Sequence, residues 1–176
     1  TYQECLEYFY RQLPMFQRIG AAAMKPDLGN IKRLCQALGN PQQKFPAIHI
    51  AGTNGKGSSS HMLAAVFQSA GYRTGLYTSP HLKDFRERIR INGIPIEPQD
   101  VVSFVLSNQH LFDTIKPSFF ELTVALSFEY FARTQVDIAI IEVGLGGRLD
   151  STNIIHPRIC LITNIGYDHI DLLGDS

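Results

Sequence analysis

The chain has 176 residues, of which 44% are hydrophobic, so we expect a folded domain of ordinary size, and a disordered chain is excluded. Basic and acidic residues balance at 16 each, which leaves no overall charge to recruit nucleic acid or an anionic membrane. No secretory signal or membrane-spanning apolar run is recognisable, and the three cysteines lack metal-ligand spacing. We therefore expect a cytoplasmic protein with no nucleic acid or membrane partner.

Apolar periodicity and turn residues divide the chain into helices that alternate with short apolar strands. Helices are predicted over residues 3–13, 27–39, 56–70, 98–113 and 118–134. Strands are predicted directly after Pro46 and over residues 73–78, 137–142 and 158–163, with a small hairpin over 88–96 that turns at Asn92-Gly93. A flexible stretch is expected at residues 20–24. This pattern indicates an α/β fold of the P-loop NTPase (Rossmann-like) type: a mostly parallel sheet flanked by helices on both faces, with the hairpin as an insertion.

The first strand runs into a glycine-rich loop with one lysine, IHIAGTNGKGS over residues 48–58, and a helix follows. Glycines let backbone N–H groups turn toward phosphate oxygens, the lysine adds a mobile positive charge, and the helix N-terminus adds its dipole. The spacing departs from G-x-x-x-x-G-K-[ST], because Ile50 replaces the first glycine and Gly57 replaces the hydroxyl residue that normally holds magnesium. A plain turn is the alternative, but the flanking strand and helix favour phosphate. The predicted ATP-binding residues are Gly52, Thr53, Asn54, Gly55, Lys56, Gly57 and Ser58.

Glu142 closes the apolar strand predicted over 137–142, at the sheet edge where open α/β sheets bind ligands. A carboxylate there is costly to bury unpaired, and its position is typical of the acidic residue that serves magnesium in P-loop enzymes. The alternative is a strand-end carboxylate that simply reaches solvent. Glycines at 144, 146 and 147 disfavour that alternative, because they let the backbone approach a ligand closely.

Two serines and a histidine near the strand ends each have a functional and a structural interpretation. Ser58 or Ser79 could supply the hydroxyl that the phosphate loop lacks, although a Ser-Pro pair also commonly begins a turn. His169 follows Asp168 and is equally well explained as a ligand or as a helix cap.

Arg86, Arg88 and Arg90 alternate into the predicted hairpin. They could grip a carboxylate-bearing substrate. Alternating arginines on an exposed hairpin are usually solvated, however, so we predict that these three side chains lie in solvent.

Three segments together resemble the bacterial folylpolyglutamate synthase/dihydrofolate synthase family, which belongs to the Mur ligase superfamily. They are residues 48–58, residues 77–82 and residues 140–155, IIEVGLGGRLDSTNII. Asp168-His169 followed by Leu172-Leu173-Gly174 resembles the next block of the family. The similarity runs essentially from end to end. The glycine-rich loop alone would indicate only the superfamily, whereas the block from Glu142 to Asn153 is much more specific.

The resemblance implies an ATP-dependent amide-forming ligase whose partners are small molecules, namely dihydropteroate or a folate and L-glutamate. A folate-type carboxylate attacks the γ-phosphate of ATP to give an acyl phosphate and ADP, and the amine of glutamate then displaces phosphate. Such phosphoryl transfer needs positioning and charge neutralisation more than covalent help, which suits a lysine, backbone donors and Mg²⁺. Whether both dihydropteroate and tetrahydrofolate are accepted stays open. A monomer is expected for the complete protein.

The resemblance also assigns the catalytic residues Lys56, Glu142 and His169. Lys56 and the loop amides are implied to hold the β- and γ-phosphates. Ser79 and Glu142 are implied to bind one Mg²⁺, and His169 a second one that bridges the γ-phosphate to the acceptor carboxylate.

Substrate-binding positions follow from the same resemblance. The pterin is expected near Phe120, Asp150 and Ser151, with Phe120 stacking on the ring and Asp150 accepting from its amino group. Core packing in an amphipathic helix explains Phe120 equally well.

Relatives are expected to be roughly twice this length or more. Beyond this block they carry a carbamylated lysine at the second metal and a C-terminal domain that closes over ATP. We therefore expect residues 1–176 to be an N-terminal ATP-binding domain of the Mur ligase central type, truncated, lacking the C-terminal domain and inactive alone. Two alternatives are a nucleotide-binding module without ligase activity and another Mur-superfamily amide ligase. Lys56, Glu142 and His169 argue against the first, and the folate-type blocks at 79–81 and 146–150 argue against the second.

Overall fold

The computed structural model describes residues 1–13 and 27–174, which form helices, short strands and three 3-10 turns. The helices are α1 (Tyr2–Gln12), α2 (Gly29–Ala37), α3 (Lys56–Ser69), α4 (Pro98–Ile115), α5 (Phe119–Arg133) and α6 (Ile170–Leu173). The strands are β1 (Ala47–Ala51), β2 (Thr74–Tyr77), β3 (Ile89–Ile91), β4 (Ile94–Pro95), β5 (Ile138–Glu142) and β6 (Ile159–Ile162). The 3-10 turns are Pro41–Gln43, Phe85–Arg88 and Ser151–Ile154. Within these ranges, none of the helices has the length and apolarity that crossing a bilayer requires.

The strands form one sheet in the order β4-β3-β2-β5-β1-β6. The four strands β2, β5, β1 and β6 are parallel, and the hairpin β3-β4 adds antiparallel strands beside β2. Ile140 of β5 lies between Ile48 of β1 and Leu76 of β2, so these strands start and end nearly level. Their carboxyl ends therefore meet at one edge of the sheet. The predicted α/β fold, with its hairpin insertion, is confirmed.

Side chains that alternate along the strands build a separate core on each face of the sheet. The smaller core packs Ile48, Ile50, Leu76 and Ile140 against Ala64 of α3. The larger core lies on the opposite face, where α5 packs on the sheet and α1, α2 and α4 cover it. By this alternation, Glu142 at the end of β5 lies on the α3 face and His49 of β1 lies on the α5 face.

Local sequence signals explain the element ends that were predicted well. Ser118 begins α5 with a capping box: its side chain accepts from the Glu121 N–H, and the Glu121 carboxylate accepts from the Ser118 N–H. Asn92 and Gly93 both have positive φ values, 49° and 79°, as a two-residue hairpin turn requires.

Other ends and elements differ from the prediction. Helix α2 was predicted to begin at Asp27 but begins at Gly29, with Leu28 at the N-cap position. Asp27 lies one residue before the N-cap, and its carboxylate accepts from the Gly29 N–H. The 3-10 turns and the four-residue helix α6 were not predicted, since elements this short have no periodicity to detect. The flexible stretch predicted at 20–24 lies outside the described residues.

Candidate active site

The glycine-rich loop leaves β1 at Ala51 and enters α3 at Lys56 through glycines with positive φ. Gly52 has a φ of 132° and Gly55 has a φ of 82°. A side chain at Gly52 would place its Cβ 2.1 Å from Oγ1 of Thr163. Glycine is therefore required at Gly52 by both conformation and space.

Residues that follow β6 hold the backbone of this loop in place. The Thr53 N–H donates to the Asn164 carbonyl at 3.0 Å, and the Asn54 N–H donates to Asn164 Oδ1 at 3.0 Å. Thr163 Oγ1 donates to the Asn54 carbonyl at 2.6 Å, and the Gly166 N–H donates to Thr53 Oγ1 at 2.9 Å. The sequence analysis missed these supporting residues. Their only signal in the sequence is that the loop after β6 is polar. The hydrogen bonds fix the loop before any ligand arrives.

Lys56 is the first residue of α3 and folds back over the loop. Its Nζ donates to the carbonyls of Gly52, at 2.7 Å, and Thr53, at 3.2 Å. Gly55 at the N-cap position of α3 has no side chain that could cap the helix, so the amide groups of the first turn are left for another acceptor. The positive end of the helix dipole, these amides and the Lys56 ammonium group together suit a phosphate.

Glu142 lies beside this loop and is only 4% exposed. Its Oε2 accepts from the Ser79 N–H at 2.9 Å, and a Cβ on Gly57 would lie 3.5 Å from its Oε1. Burial raises the pKa of Glu142, while the Ser79 N–H and the Lys56 charge act in the opposite direction. The structure thus brings together the phosphate loop, Ser79 and Glu142.

Phe120 lies on the α5 face, next to the loop that follows β5. Its ring is half-buried and meets Tyr77 edge-on at a centroid distance of 6.3 Å. A Cβ on Gly144 would lie 2.5 Å from Cζ of Phe120, so the loop backbone packs directly on the ring. Asp150 and Ser151 follow on the same loop and are both buried. The three predicted substrate residues are therefore near one another, and their role toward a substrate stays a prediction.

Hydrogen bonds within the loop occupy the Asp150 carboxylate. Its Oδ2 accepts from the N–H groups of Gly144 and Leu145 at 2.9 and 3.0 Å, and its Oδ1 accepts from the Thr152 N–H at 2.9 Å and from the Thr152 hydroxyl. Burial raises the pKa of Asp150, and these hydrogen bonds oppose the rise. A carboxylate has about four acceptor positions, so any further donor must replace one of these four or use the loop backbone.

His49 belongs to the same buried network and was missed by sequence reasoning. Its Nε2 lies 2.8 Å from Thr152 Oγ1. Because the Thr152 hydroxyl donates to Asp150, it must accept from His49, which assigns the proton of the neutral imidazole to Nε2. Burial lowers the pKa of His49 to about 4, so the ring is neutral near pH 7.

The depressed pKa of His49 predicts acid sensitivity. The folded state resists protonation of His49, whereas the unfolded chain takes up the proton near its ordinary pKa of about 6.5. The stabilisation is complete above pH 6.5 and is lost as the pH falls toward about 4, by up to roughly 3 kcal/mol. Urea unfolding at several pH values measures the loss. The His49→Gln variant keeps a donor but does not titrate, so its free energy of unfolding should fall less over this range; parallel curves would contradict the assignment.

Gly144→Ala is expected to destabilise the fold. The new Cβ would lie 2.5 Å from Phe120 Cζ and 3.0 Å from Asp150 Oδ2, so the loop or the ring must shift, at a cost of about 1–3 kcal/mol. A Cβ on Gly147, in the same loop, would have no neighbouring atom within 4 Å, so Gly147→Ala is the matched control. Thermal unfolding should show a lower midpoint for Gly144→Ala only, and equal midpoints would show that the loop yields freely.

His169 lies at the N-terminal end of α6, where its own φ is 51°. Its Nε2 is 3.8 Å from Asp168 Oδ1, and both side chains are substantially exposed. Residues 1–13 and 27–174 contain no group of three or more His, Cys, Asp or Glu side chains arranged to hold a metal. The metal-binding role of His169 therefore stays a prediction.

Comparisons with known proteins identify this arrangement. The Mur ligase middle domain family matches residues 50–176, which include the phosphate loop, Ser79 and Glu142. This chain belongs to that family. The match covers the sheet edge at which the segments after β1, β2 and β5 meet.

Several similar proteins are longer than this chain. The dihydrofolate synthase/folylpolyglutamate synthase of Bacillus subtilis is 42% identical over 160 residues, which cover 87% of this chain and 37% of that protein. A crystal structure of folylpolyglutamate synthase from Thermotoga maritima matches with a TM-score of 0.87 and 42% identity, over 98% of this chain and 40% of that one. A folylpolyglutamate synthase complex with AMPPCP and folate matches with a TM-score of 0.91 and 38% identity, over 100% of this chain and 43% of that one. The chain therefore spans about two fifths of the length of these relatives.

Proposed function

We propose that this chain is the N-terminal ATP-binding part of a cytoplasmic ligase that joins L-glutamate to dihydropteroate or a folate through an acyl phosphate. Similarity to folate-glutamate synthases, one of them solved with AMPPCP and folate, supports these substrates. The observation that carries the proposal is the contact among three strand ends. Glu142 Oε2 accepts from the Ser79 N–H, and its Oε1 faces Gly57 of the phosphate loop.

Lys56 and the first turn of α3 would hold the phosphates of ATP. The Nζ atom now donates to two neutral carbonyls, which it would exchange for the charged oxygens of the β- and γ-phosphates, because hydrogen bonds between ions are stronger. The loop is already fixed by Thr163 and Asn164, so little order must be gained on binding. The positive charge then stabilises the phosphoryl group as it passes to the acceptor carboxylate.

The residues around Glu142 fit a magnesium ion. Mg²⁺ takes oxygen ligands and is commonly held by one or two carboxylates together with substrate phosphates, and the buried Glu142 carboxylate faces the loop where those phosphates would lie. Glu142 and the Ser79 hydroxyl would hold the ion, and His169 is proposed for a second one. The bound ion would supply charge neutralisation at the phosphates. The Ser79 N–H holds Glu142 in position for this task.

The acceptor would lie on the opposite face, at the Phe120 ring and the loop after β5. Phe120 presents a half-buried face for a pterin ring, and the Asp150 network holds the loop backbone against it. This arrangement supports a site in which the pterin ring binds on the α5 face of the sheet edge and the phosphates bind on the α3 face.

ADP release tests the proposal in the complete protein. Mg-ATP and glutamate are supplied with dihydropteroate in one sample and with tetrahydrofolate in another. Release with both acceptors establishes a bifunctional ligase, and release with tetrahydrofolate alone establishes a polyglutamate synthase. If neither acceptor supports glutamate-dependent release, the folate assignment is wrong and only a nucleotide-binding domain remains.

A further inference from the structure

Arg88 is buried, contrary to the prediction that the hairpin arginines are solvated. It is 3% exposed, at the end of the 3-10 turn that leads into β3. Arg86 instead pairs with Asp84 at 2.7 Å, and Arg90 is half-buried and donates to the Glu87 carbonyl at 3.2 Å. The three arginines do alternate along the chain, but the middle one turns inward.

The buried guanidinium group of Arg88 has neutral neighbours. Its Nε donates to His81 Nδ1 at 2.8 Å, and its Cζ lies 5.2 Å from the centre of the Phe119 ring. No aspartate or glutamate in the described part of the chain forms an ion pair with it. A buried charge without a counter-ion is costly, so a protein that retains one commonly uses it to bind an anion.

The Tyr77 hydroxyl supplies a second, independent sign of a ligand at this place. Tyr77 is fully buried at the end of β2, and its hydroxyl has no well-aligned hydrogen-bond partner among the described residues. A neutral tyrosine hydroxyl can donate as well as accept a hydrogen bond, so its proton can serve a ligand beside the guanidinium group. A buried hydroxyl and a guanidinium group that forms no ion pair within the described residues thus lie together.

This pair lies between the two halves of the site. The Thr78 N–H donates to the Arg88 carbonyl, the N–H of the next residue, Ser79, donates to Glu142, and the Tyr77 ring contacts Phe120. A group bound at Arg88 and Tyr77 would therefore lie near both the magnesium-binding carboxylate and the ring-binding face.

We propose that Arg88 and Tyr77 form a subsite for a substrate carboxylate. The planar guanidinium group matches the two oxygens of a carboxylate, and the hydroxyl adds a third donor. The inference rests on the proposed function, in which both the acceptor and L-glutamate carry carboxylates. His81 is a positioning residue here, because its unprotonated Nδ1 fixes the plane of the guanidinium group.

Steady-state ADP release by the complete protein tests the subsite, with the concentration of one substrate varied at a time. Arg88→Met should raise the KM of one carboxylate substrate by roughly 30-fold or more, while the KM of ATP changes about twofold or less. Arg88→Lys should recover part of the loss, and Tyr77→Phe should raise the same KM by roughly 3–10-fold. Arg90→Met is the matched control and should change neither value. If the KM of the acceptor rises, the subsite binds the acceptor carboxylate. If the KM of glutamate rises, the subsite binds a carboxylate of glutamate.

A neutral analogue of the substrate whose KM rises separates charge recognition from folding. The carboxamide of that substrate should bind the wild type more weakly than the carboxylate form does, and Arg88→Met should abolish that preference. A preference that survives in Arg88→Met, or KM values that all rise together with a lower unfolding temperature, would overturn the subsite. Arg88→Lys keeps the test decisive if Arg88→Met does not fold. Failure of the proposed function would look different, because the wild type itself would then release no ADP.

Discussion

Replacing Lys56 by alanine in the complete protein is expected to lower the turnover of glutamate-dependent ADP release by several powers of ten. The reason is the position of its ammonium group. Nζ lies 2.7 Å from the Gly52 carbonyl, over a loop (residues 52–58) that has no other cationic side chain. Without it, the transferring phosphoryl group loses its fixed cation, and the amides alone carry no net charge.

Single-turnover measurements with saturating ATP separate this loss from weaker nucleotide binding. Lys32→Ala removes the same charge from an exposed position on α2 and should leave turnover unchanged. Circular dichroism and thermal unfolding should match the wild type for both variants. Turnover retained in Lys56→Ala would mean that the loop is structural and binds no reacting phosphate.

Glu142→Gln is expected to lower turnover by roughly 100–1,000-fold without destabilising the fold. Glutamine keeps the shape and still accepts from the Ser79 N–H, but it removes a negative charge whose burial is unfavourable, as the raised pKa of Glu142 indicates. Activity and stability should therefore change in opposite directions, which is typical of a buried functional charge.

Titration with magnesium and thermal unfolding together check the Glu142 prediction. The variant should need more magnesium for half-maximal turnover and should unfold at an equal or higher temperature. Glu129→Gln, which alters a carboxylate that is ion-paired with Arg133 on α5, should leave the magnesium requirement unchanged. A variant with normal turnover at low magnesium would remove Glu142 from the metal site.

The local parts of the site were predictable because their signals lie within a few residues. The phosphate loop requires glycines, a lysine and a helix start in one short run, and the strand ahead of it is marked by its apolar residues. The position of Glu142 beside the loop followed from the rule that parallel strands end at one edge. Neither inference needed the order of the strands in the sheet.

The parts that were missed depend on contacts between distant segments. His49 and Thr152 are separated by 103 residues, and nothing in the β1 sequence indicates that its histidine donates to a threonine beyond β5. Arg88 is buried because Phe119 of α5 and His81 of the preceding loop close around it. Alternation along a hairpin describes which residues share a side, but the burial of that side is decided by what packs on it.

The two-faced packing of the sheet has a consequence for how this site can diversify. Successive side chains of one strand point to opposite faces of the sheet. Ile48 and Ile50 of β1 pack toward α3, while His49 between them contacts Thr152 in the Asp150 network on the other face. One layer of backbone thus separates the proposed phosphate-binding face from the proposed acceptor-binding face. Substitutions on the α5 side are expected to change which ring system is accepted while leaving the proposed phosphate-binding side intact, so that the same phosphate-binding side would serve different acceptors.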